Sequence, residues 1–151
     1  MLYNLVKTLH ILSATLLFGA GLSTAFHLLW AWLSGETRFV AHSARTTVLA
    51  DWLFTLGPGL FQPLSGLLLI DLAGFDPAAP WLLLTYGLYV LALACWLPVV
   101  RIQLRLAQSQ GEPGATQRLL MRQWMRLGWP AFFALIAIFY LMVAKPPLWE
   151  S

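Results

Sequence analysis

Four long apolar tracts constrain this chain more than any other feature of it. They run from about 5 to 33, 48 to 72, 81 to 100 and 128 to 144, with polar or proline-containing segments between them. A helix of about 20 apolar residues can cross the hydrocarbon core of a bilayer. The tracts therefore predict an all-α integral membrane protein with helices at about 3–33, 38–73, 80–108 and 116–145.

The composition supports a membrane class. Hydrophobic residues make up 60% of the 151 residues and charged residues 10%, and the mean hydropathy is +0.74. Soluble domains average about 25% charged residues. The length suits one domain over residues 1–151, and the single cysteine, Cys95, excludes a disulfide within the chain. The net charge of +3 does not indicate nucleic-acid binding, because the basic residues gather at predicted membrane ends.

Basic residues are distributed unequally between the two ends of the predicted bundle. Seven arginines lie at one end. The other end holds Lys7 and Lys145, with acidic residues nearby. Lys and Arg accumulate on the cytoplasmic side of membrane proteins. We therefore expect an antiparallel four-helix bundle with long cytoplasmic helix extensions and both termini outside. The seven arginines at the cytoplasmic end are Arg38, Arg45, Arg101, Arg105, Arg118, Arg122 and Arg126.

Lys7 and His10 lie near the outer end of the first helix, where ionisable side chains are costly without a partner or a function. Because the fourth helix runs antiparallel to the first, we expect Met142 and Lys145 at a similar depth. An imidazole, alone or with a methionine thioether, can ligate haem iron. In the structural alternative, His10 bonds to a helix carbonyl or to water, and the lysines extend to the membrane surface.

A second group of polar residues is expected toward the inner end. His27 lies 17 residues after His10 on the same helix. That spacing corresponds to about 25 Å, so the two histidines cannot share one metal ion or haem. Asp51 is predicted at the depth of His27, and a carboxylate there is costly unless it is paired. His27, Arg45 and Arg101 are its candidate partners, and the site would either move protons or only fix helix packing.

The second helix contains the segment TLGPGLFQPLSG, residues 55–66, with two prolines and three glycines. Proline removes a backbone hydrogen bond and bends a helix, and the freed carbonyl needs a new partner inside a membrane. The segment therefore predicts a bend, which is one way to open a ligand cavity.

The segments YNLVKTLHILSATLLFGAG, AHSARTTVLADWLFTLGPG, CWLPVVRIQLR and LMVAKP resemble a bacterial family of predicted four-helix integral membrane proteins of unknown function. That family is similar in turn to the HemJ-like protoporphyrinogen oxidases and the CopD-like membrane proteins. HemJ-like chains also open with a tyrosine, followed by a lysine and a histidine three apart, and end a helix with KP. The resemblance implies that His10 contacts a haem or porphyrin and that Lys145 is the lysine of the closing KP.

The same resemblance implies haem b or another tetrapyrrole, and redox chemistry coupled to the respiratory chain. One departure concerns the first helix, where HemJ-like chains place an arginine and a proline after the small residues. This chain has STAFHLLWAW there, which argues against porphyrinogen oxidation itself.

These observations predict a haem b- or tetrapyrrole-binding redox protein of the bacterial inner membrane, and, if it is an enzyme, a membrane oxidoreductase. His10 would ligate the metal, Met142 or solvent would be the second ligand, and Lys145 would contact an anion. Expected partners are the lipid bilayer, a quinone, tetrapyrrole or membrane redox partner, and a second copy of the chain. The alternative is a non-catalytic accessory subunit or small transporter with structural histidines. We find no glycine-rich phosphate loop, paired cysteines or HExxH motif.

Overall fold

The computed structural model describes residues 1–109 and 114–147. Within these ranges the chain forms four long helices and no strand: α1 (Leu2–Leu33), α2 (Thr37–Ala73), α3 (Pro80–Gln108) and α4 (Gly114–Ala144). Each end lies within two residues of the predicted one. The predicted all-α membrane bundle is confirmed.

All four helices are long and apolar enough to cross a membrane. The shortest, α3, has 29 residues, so it is about 44 Å long at 1.5 Å per residue, which exceeds the bilayer's hydrocarbon core of about 30 Å. Large apolar side chains cover the outer surface of all four helices. One example from each helix is Leu12 (59% exposed), Leu64 (68%), Val90 (64%) and Phe133 (59%). Such a surface requires lipid rather than water.

The helix ends follow from local sequence. At the end of α2, Gly74 adopts a left-handed conformation, with φ of 67°. The Phe75 N–H then donates to the Ile70 carbonyl, at 3.1 Å. This capping arrangement favours glycine because other residues are strained at positive φ. Pro80 begins α3, where its missing N–H costs no helix hydrogen bond.

Helix α2 changes its winding just before the segment that contains the two prolines. It is α-helical over Thr37–Ala50, π-helical over Asp51–Leu56, and α-helical again over Gly57–Ala73. Pro58 lies two residues after the wider turn and has no N–H to donate to the preceding turn. Wider π turns occur frequently at functional sites.

The helices pack as two antiparallel pairs that meet at both ends of the bundle. The second half of α2 lies against α1, and α3 lies against α4, while the first half of α2 contacts both α1 and α3. A buried apolar cluster closes the arginine-bearing end, and it includes Leu28, Val40 and Leu106. A smaller cluster of Ile70, Trp81, Leu82 and Leu141 closes the opposite end. The space between the two clusters is only partly filled.

Candidate ligand-binding site

A cavity of about 630 Å³ lies between the two helix pairs. All four helices line it, and we call it the central cavity. Its lining is mostly apolar, and some lining residues, such as Leu22 and Leu60, are more than half exposed, so it opens toward the lipid-facing surface. Large apolar pockets with a few polar groups are the common form of ligand sites. The aromatic side chains that line it include Phe18, Tyr89, Trp96, Trp124, Trp129 and Phe132.

Among the described residues, Asp51 is the one carboxylate that lines the central cavity. It is 6% exposed, and Thr55, one turn along α2, donates to its Oδ1 at 3.0 Å. The Gln103 side chain of α3 also interacts with this carboxylate. Its Oδ2 has no hydrogen-bond partner among the described residues. A buried, unpartnered carboxylate oxygen is costly, so its retention indicates a use for the free acceptor.

Other polar atoms near Asp51 are also unpartnered. Gln103 Oε1 and the indole Nε1 atoms of Trp96 and Trp124 are buried without a hydrogen bond in the described part of the chain, and all three residues line the cavity. Together they provide acceptors and donors around an apolar volume. This arrangement can orient a flat molecule that carries a few polar groups.

Proline chemistry also shapes the cavity wall. Pro63 has no N–H, so the Gly59 carbonyl of the preceding turn lacks its helix donor. The Tyr89 hydroxyl of α3 donates to this carbonyl across the cavity. The bond therefore supplies the replacement partner that a freed carbonyl needs inside a membrane.

His10 lies against the second half of α2. Its Nδ1 is 2.7 Å from Ser65 Oγ, and its backbone carbonyl accepts a bond of 2.9 Å from the Gln62 side chain. The Ser65 hydroxyl donates to the Phe61 carbonyl at 2.7 Å. We therefore assign the proton of this contact to His10 Nδ1. Nε2 is then the unprotonated nitrogen, and it has no hydrogen bond among the described residues.

The other predicted outer-site residues lie apart from His10's hydrogen bonds. Met142 packs on the cluster of Ile70, Trp81, Leu82 and Leu141. Lys145 Nζ lies 4.3 Å from the ring centroid of Phe75 and 5.7 Å from that of Trp81. Lys7 Nζ lies 5.5 Å from the centroid of Tyr3.

The predicted inner site is likewise not joined by hydrogen bonds in the described chain. His27 packs edge-on against Phe39, with ring centroids 6.2 Å apart. Arg45 Nε donates to the Ala107 carbonyl at 3.0 Å. Asp51 instead takes its partners from Thr55 and Gln103. Within residues 1–109 and 114–147, no group of three or more His, Cys, Asp or Glu side chains could hold a metal ion.

Sequence reasoning did not identify Thr55, Tyr89 or Gln103 as site residues. A signal existed for Tyr89, because Pro63 marks the Gly59 carbonyl as unpartnered and a donor must reach it. Gln103 is a single amide in VVRIQLR, one turn after Val99, which also lines the cavity. Because Arg101 and Arg105 lie on either side of it, the whole segment was interpreted as a basic helix end.

Comparison with known proteins agrees with the architecture. No curated protein and no solved structure matches the chain. One family model matches residues 4–146, which is nearly the whole chain, and its description is "Predicted integral membrane protein (DUF2269)". The chain therefore belongs to this family of predicted integral membrane proteins.

Proposed function

We propose that the protein binds a neutral, hydroxyl-bearing aromatic compound in the central cavity. The observation that carries the proposal is the free Asp51 Oδ2, buried beside an apolar volume of about 630 Å³. A ligand hydroxyl that donates to Oδ2 would remove the cost of the unpartnered acceptor. Aromatic side chains around the cavity favour a flat ring, through stacked and edge-on contacts.

The charge of the lining restricts the ligand further. In the part of the chain that the structure describes, no Lys, Arg or His lines the central cavity, whereas Asp51 does. An anionic group on the ligand would therefore lie near a carboxylate without a compensating cation. A membrane quinol satisfies these conditions, because it is neutral, aromatic and apolar and it carries two hydroxyl donors. Such a ligand agrees with the quinone partner and the respiratory-chain role expected from the sequence.

Haem b fits the central cavity poorly. Histidine is a common axial ligand of haem iron, and among the described residues no histidine lines this cavity, although the thioether of Met125 does. Haem also carries two propionates, which Asp51 would repel. The cavity is therefore proposed for the hydroxyl-bearing ring and not for haem.

A haem site on His10 is a second proposal, and it rests on one observation. Ser65 holds the His10 ring by Nδ1, which leaves Nε2 with its lone pair for a metal. Metal-ligating histidines commonly donate their other ring N–H in this way. Haem bound there would supply one-electron redox chemistry.

The test of the haem site is the absorption spectrum of the purified protein before and after dithionite, for wild type, His10→Ala and His27→Ala. A reducible Soret band lost only in His10→Ala supports it, and a colourless haem-supplemented wild type contradicts it.

We also place the protein in the bacterial inner membrane with both termini outside. The support is the charge asymmetry between the two ends of the bundle, since lysine and arginine favour the cytoplasmic side. Ser34–Glu36 connects α1 to α2 at the arginine-bearing end, and Gly74–Ala79 connects α2 to α3 at the other.

Binding of a decyl-substituted benzoquinol to the detergent-purified chain tests the cavity proposal. Thermophoresis should show saturable binding to the wild type and at least about tenfold weaker binding to Asp51→Asn, a loss of about 1.4 kcal/mol. Asparagine keeps the shape of the side chain but turns the free acceptor into an amide donor. Asp71→Asn is the matched control, because Asp71 is exposed near the end of α2 and should bind as wild type does.

A second variant tests the volume of the cavity while the Asp51 carboxylate is left unchanged. Ala92 lines the cavity and is 9% exposed, so Ala92→Phe should fill the volume and weaken binding while Asp51 remains. No saturable quinol binding to the wild type would overturn the proposal. That result would favour the alternative named above, an accessory subunit or small transporter without a quinol site.

A further inference from the structure

A second pocket lies at the arginine-bearing end, between α3 and α4. Its volume is about 480 Å³. Arg101 and Arg105 line it from α3, and Arg126 and Gln123 line it from α4. Its remaining lining is apolar, from Pro98, Ile102 and Leu127. We call it the arginine pocket, and it is separate from the central cavity in all of its lining residues.

The sequence explains why three arginines line this pocket. Arg101 and Arg105 are four residues apart, so they lie on one face of α3 one turn apart. Helix α4 runs antiparallel beside it and brings Arg126 to the same groove. Pro98 lies inside α3 at the apolar end of the pocket, where its ring interrupts the regular helix backbone.

The three arginines have no carboxylate partner in the described part of the chain. No Asp or Glu lines the pocket, and no ion pair joins Arg101, Arg105 or Arg126 to an acidic side chain among residues 1–109 and 114–147. All three arginines are exposed, and three positive groups that line one volume attract an anion to it. Guanidinium groups bind carboxylate and phosphate oxygens through paired N–H donors, so three arginines around one pocket suit an oxyanion.

The position of the pocket along α3 points to a lipid headgroup as the source of the oxyanion. The arginines lie where the apolar span of α3 ends, which is the level of lipid headgroups. Pro98 and Leu127 extend the pocket toward the apolar span, where an acyl chain would lie. We propose that the arginine pocket binds the phosphate headgroup of an anionic phospholipid. Basic pockets between transmembrane helices are suited to such headgroups.

Thermal unfolding of the detergent-purified full chain with added lipid tests this site. Dioleoyl phosphatidylglycerol should raise the unfolding temperature saturably, at concentrations at least about tenfold lower than dioleoyl phosphatidylcholine needs. The combined variant Arg101→Gln, Arg105→Gln and Arg126→Gln should lose this preference. The matched control changes three arginines outside the pocket, Arg38, Arg118 and Arg122, to glutamine and should keep it. All three control positions are exposed.

Three results would overturn the proposal. Equal losses in the two triple variants would show general attraction to the basic end and no pocket. An equal shift with the same concentration of inorganic phosphate would show that a soluble phosphate is the ligand and not a lipid. If the pocket variant does not fold, Arg101→Lys, Arg105→Lys and Arg126→Lys keep the charge but lose the paired donors. An undiminished lipid preference in that variant would contradict recognition by guanidinium pairs.

Discussion

Tyr89 of α3 donates its hydroxyl proton to the carbonyl oxygen of Gly59 on α2. Within the described residues, no other hydrogen bond joins the second half of α2 to α3. The bond exists because Pro63 cannot donate to that carbonyl, so a side chain from the other helix pair does. A local irregularity in one helix thus links the two halves of the bundle across the central cavity.

Tyr89→Phe should destabilise the protein. It leaves the Gly59 carbonyl without a donor, which costs about 1 kcal/mol or more. Tyr86→Phe is the matched control, since the Tyr86 hydroxyl is buried without a partner and its removal should be neutral or stabilising. Reversible unfolding in mixed detergent micelles measures both variants. Equal free energies of unfolding for the two would show that the Tyr89 bond contributes nothing.

Asp51→Asn should not lower the free energy of unfolding of the ligand-free protein. The substitution keeps an oxygen for the Thr55 hydroxyl and replaces a buried carboxyl group, whose Oδ2 has no hydrogen bond among the described residues, with a neutral amide that costs less to bury. We expect a stability equal to wild type or higher by about 1 kcal/mol. The same unfolding assay applies, with Asp71→Asn as the surface control. A loss of more than about 1 kcal/mol would mean that Oδ2 has a partner that stabilises the fold.

Ser65→Ala should destabilise the protein and free the His10 ring from its position on α2. The hydroxyl accepts from the ring at 2.7 Å, and its loss removes the bond that holds the ring on α2. We expect about 1 kcal/mol of destabilisation and a shifted His10 ring resonance in NMR spectra of labelled protein. Ser23→Ala, on an exposed position of α1, should leave both observables unchanged. An unmoved His10 resonance in Ser65→Ala would contradict the assigned bond.

The two short connections should be labelled from opposite sides of the membrane. In a Cys95→Ala background, a cysteine replaces Glu36 or Asp76, both of which are exposed. The arginine-bearing end should face the cytoplasm, so an impermeant maleimide applied to intact spheroplasts should label position 76 and spare position 36. The reverse pattern would invert the topology, and labelling of both without membrane disruption would contradict four spans.

Helix positions were the most predictable part of this protein. The apolar tracts are long, prolines and glycines mark their ends, and a lipid solvent leaves the backbone little choice but to satisfy its hydrogen bonds within each helix. The prolines of residues 55–66 predicted a bend in α2, because proline removes a backbone donor. The wider π-helical turn over Asp51–Leu56, at the start of that segment, was not predicted.

Residue order alone therefore determined the membrane class, the four helices and the presence of costly polar groups at His10 and Asp51. Which partners those groups take was decided only in the tertiary structure. His10 bonds to Ser65 of α2, Asp51 contacts Gln103 of α3, and Arg45 reaches the Ala107 carbonyl. Those pairings depend on how each helix is rotated and which helices are neighbours. The packing of side chains between helices sets both. The apolar pattern restricts this packing little, because many large apolar side chains lie on the exposed surface as well as in the buried clusters.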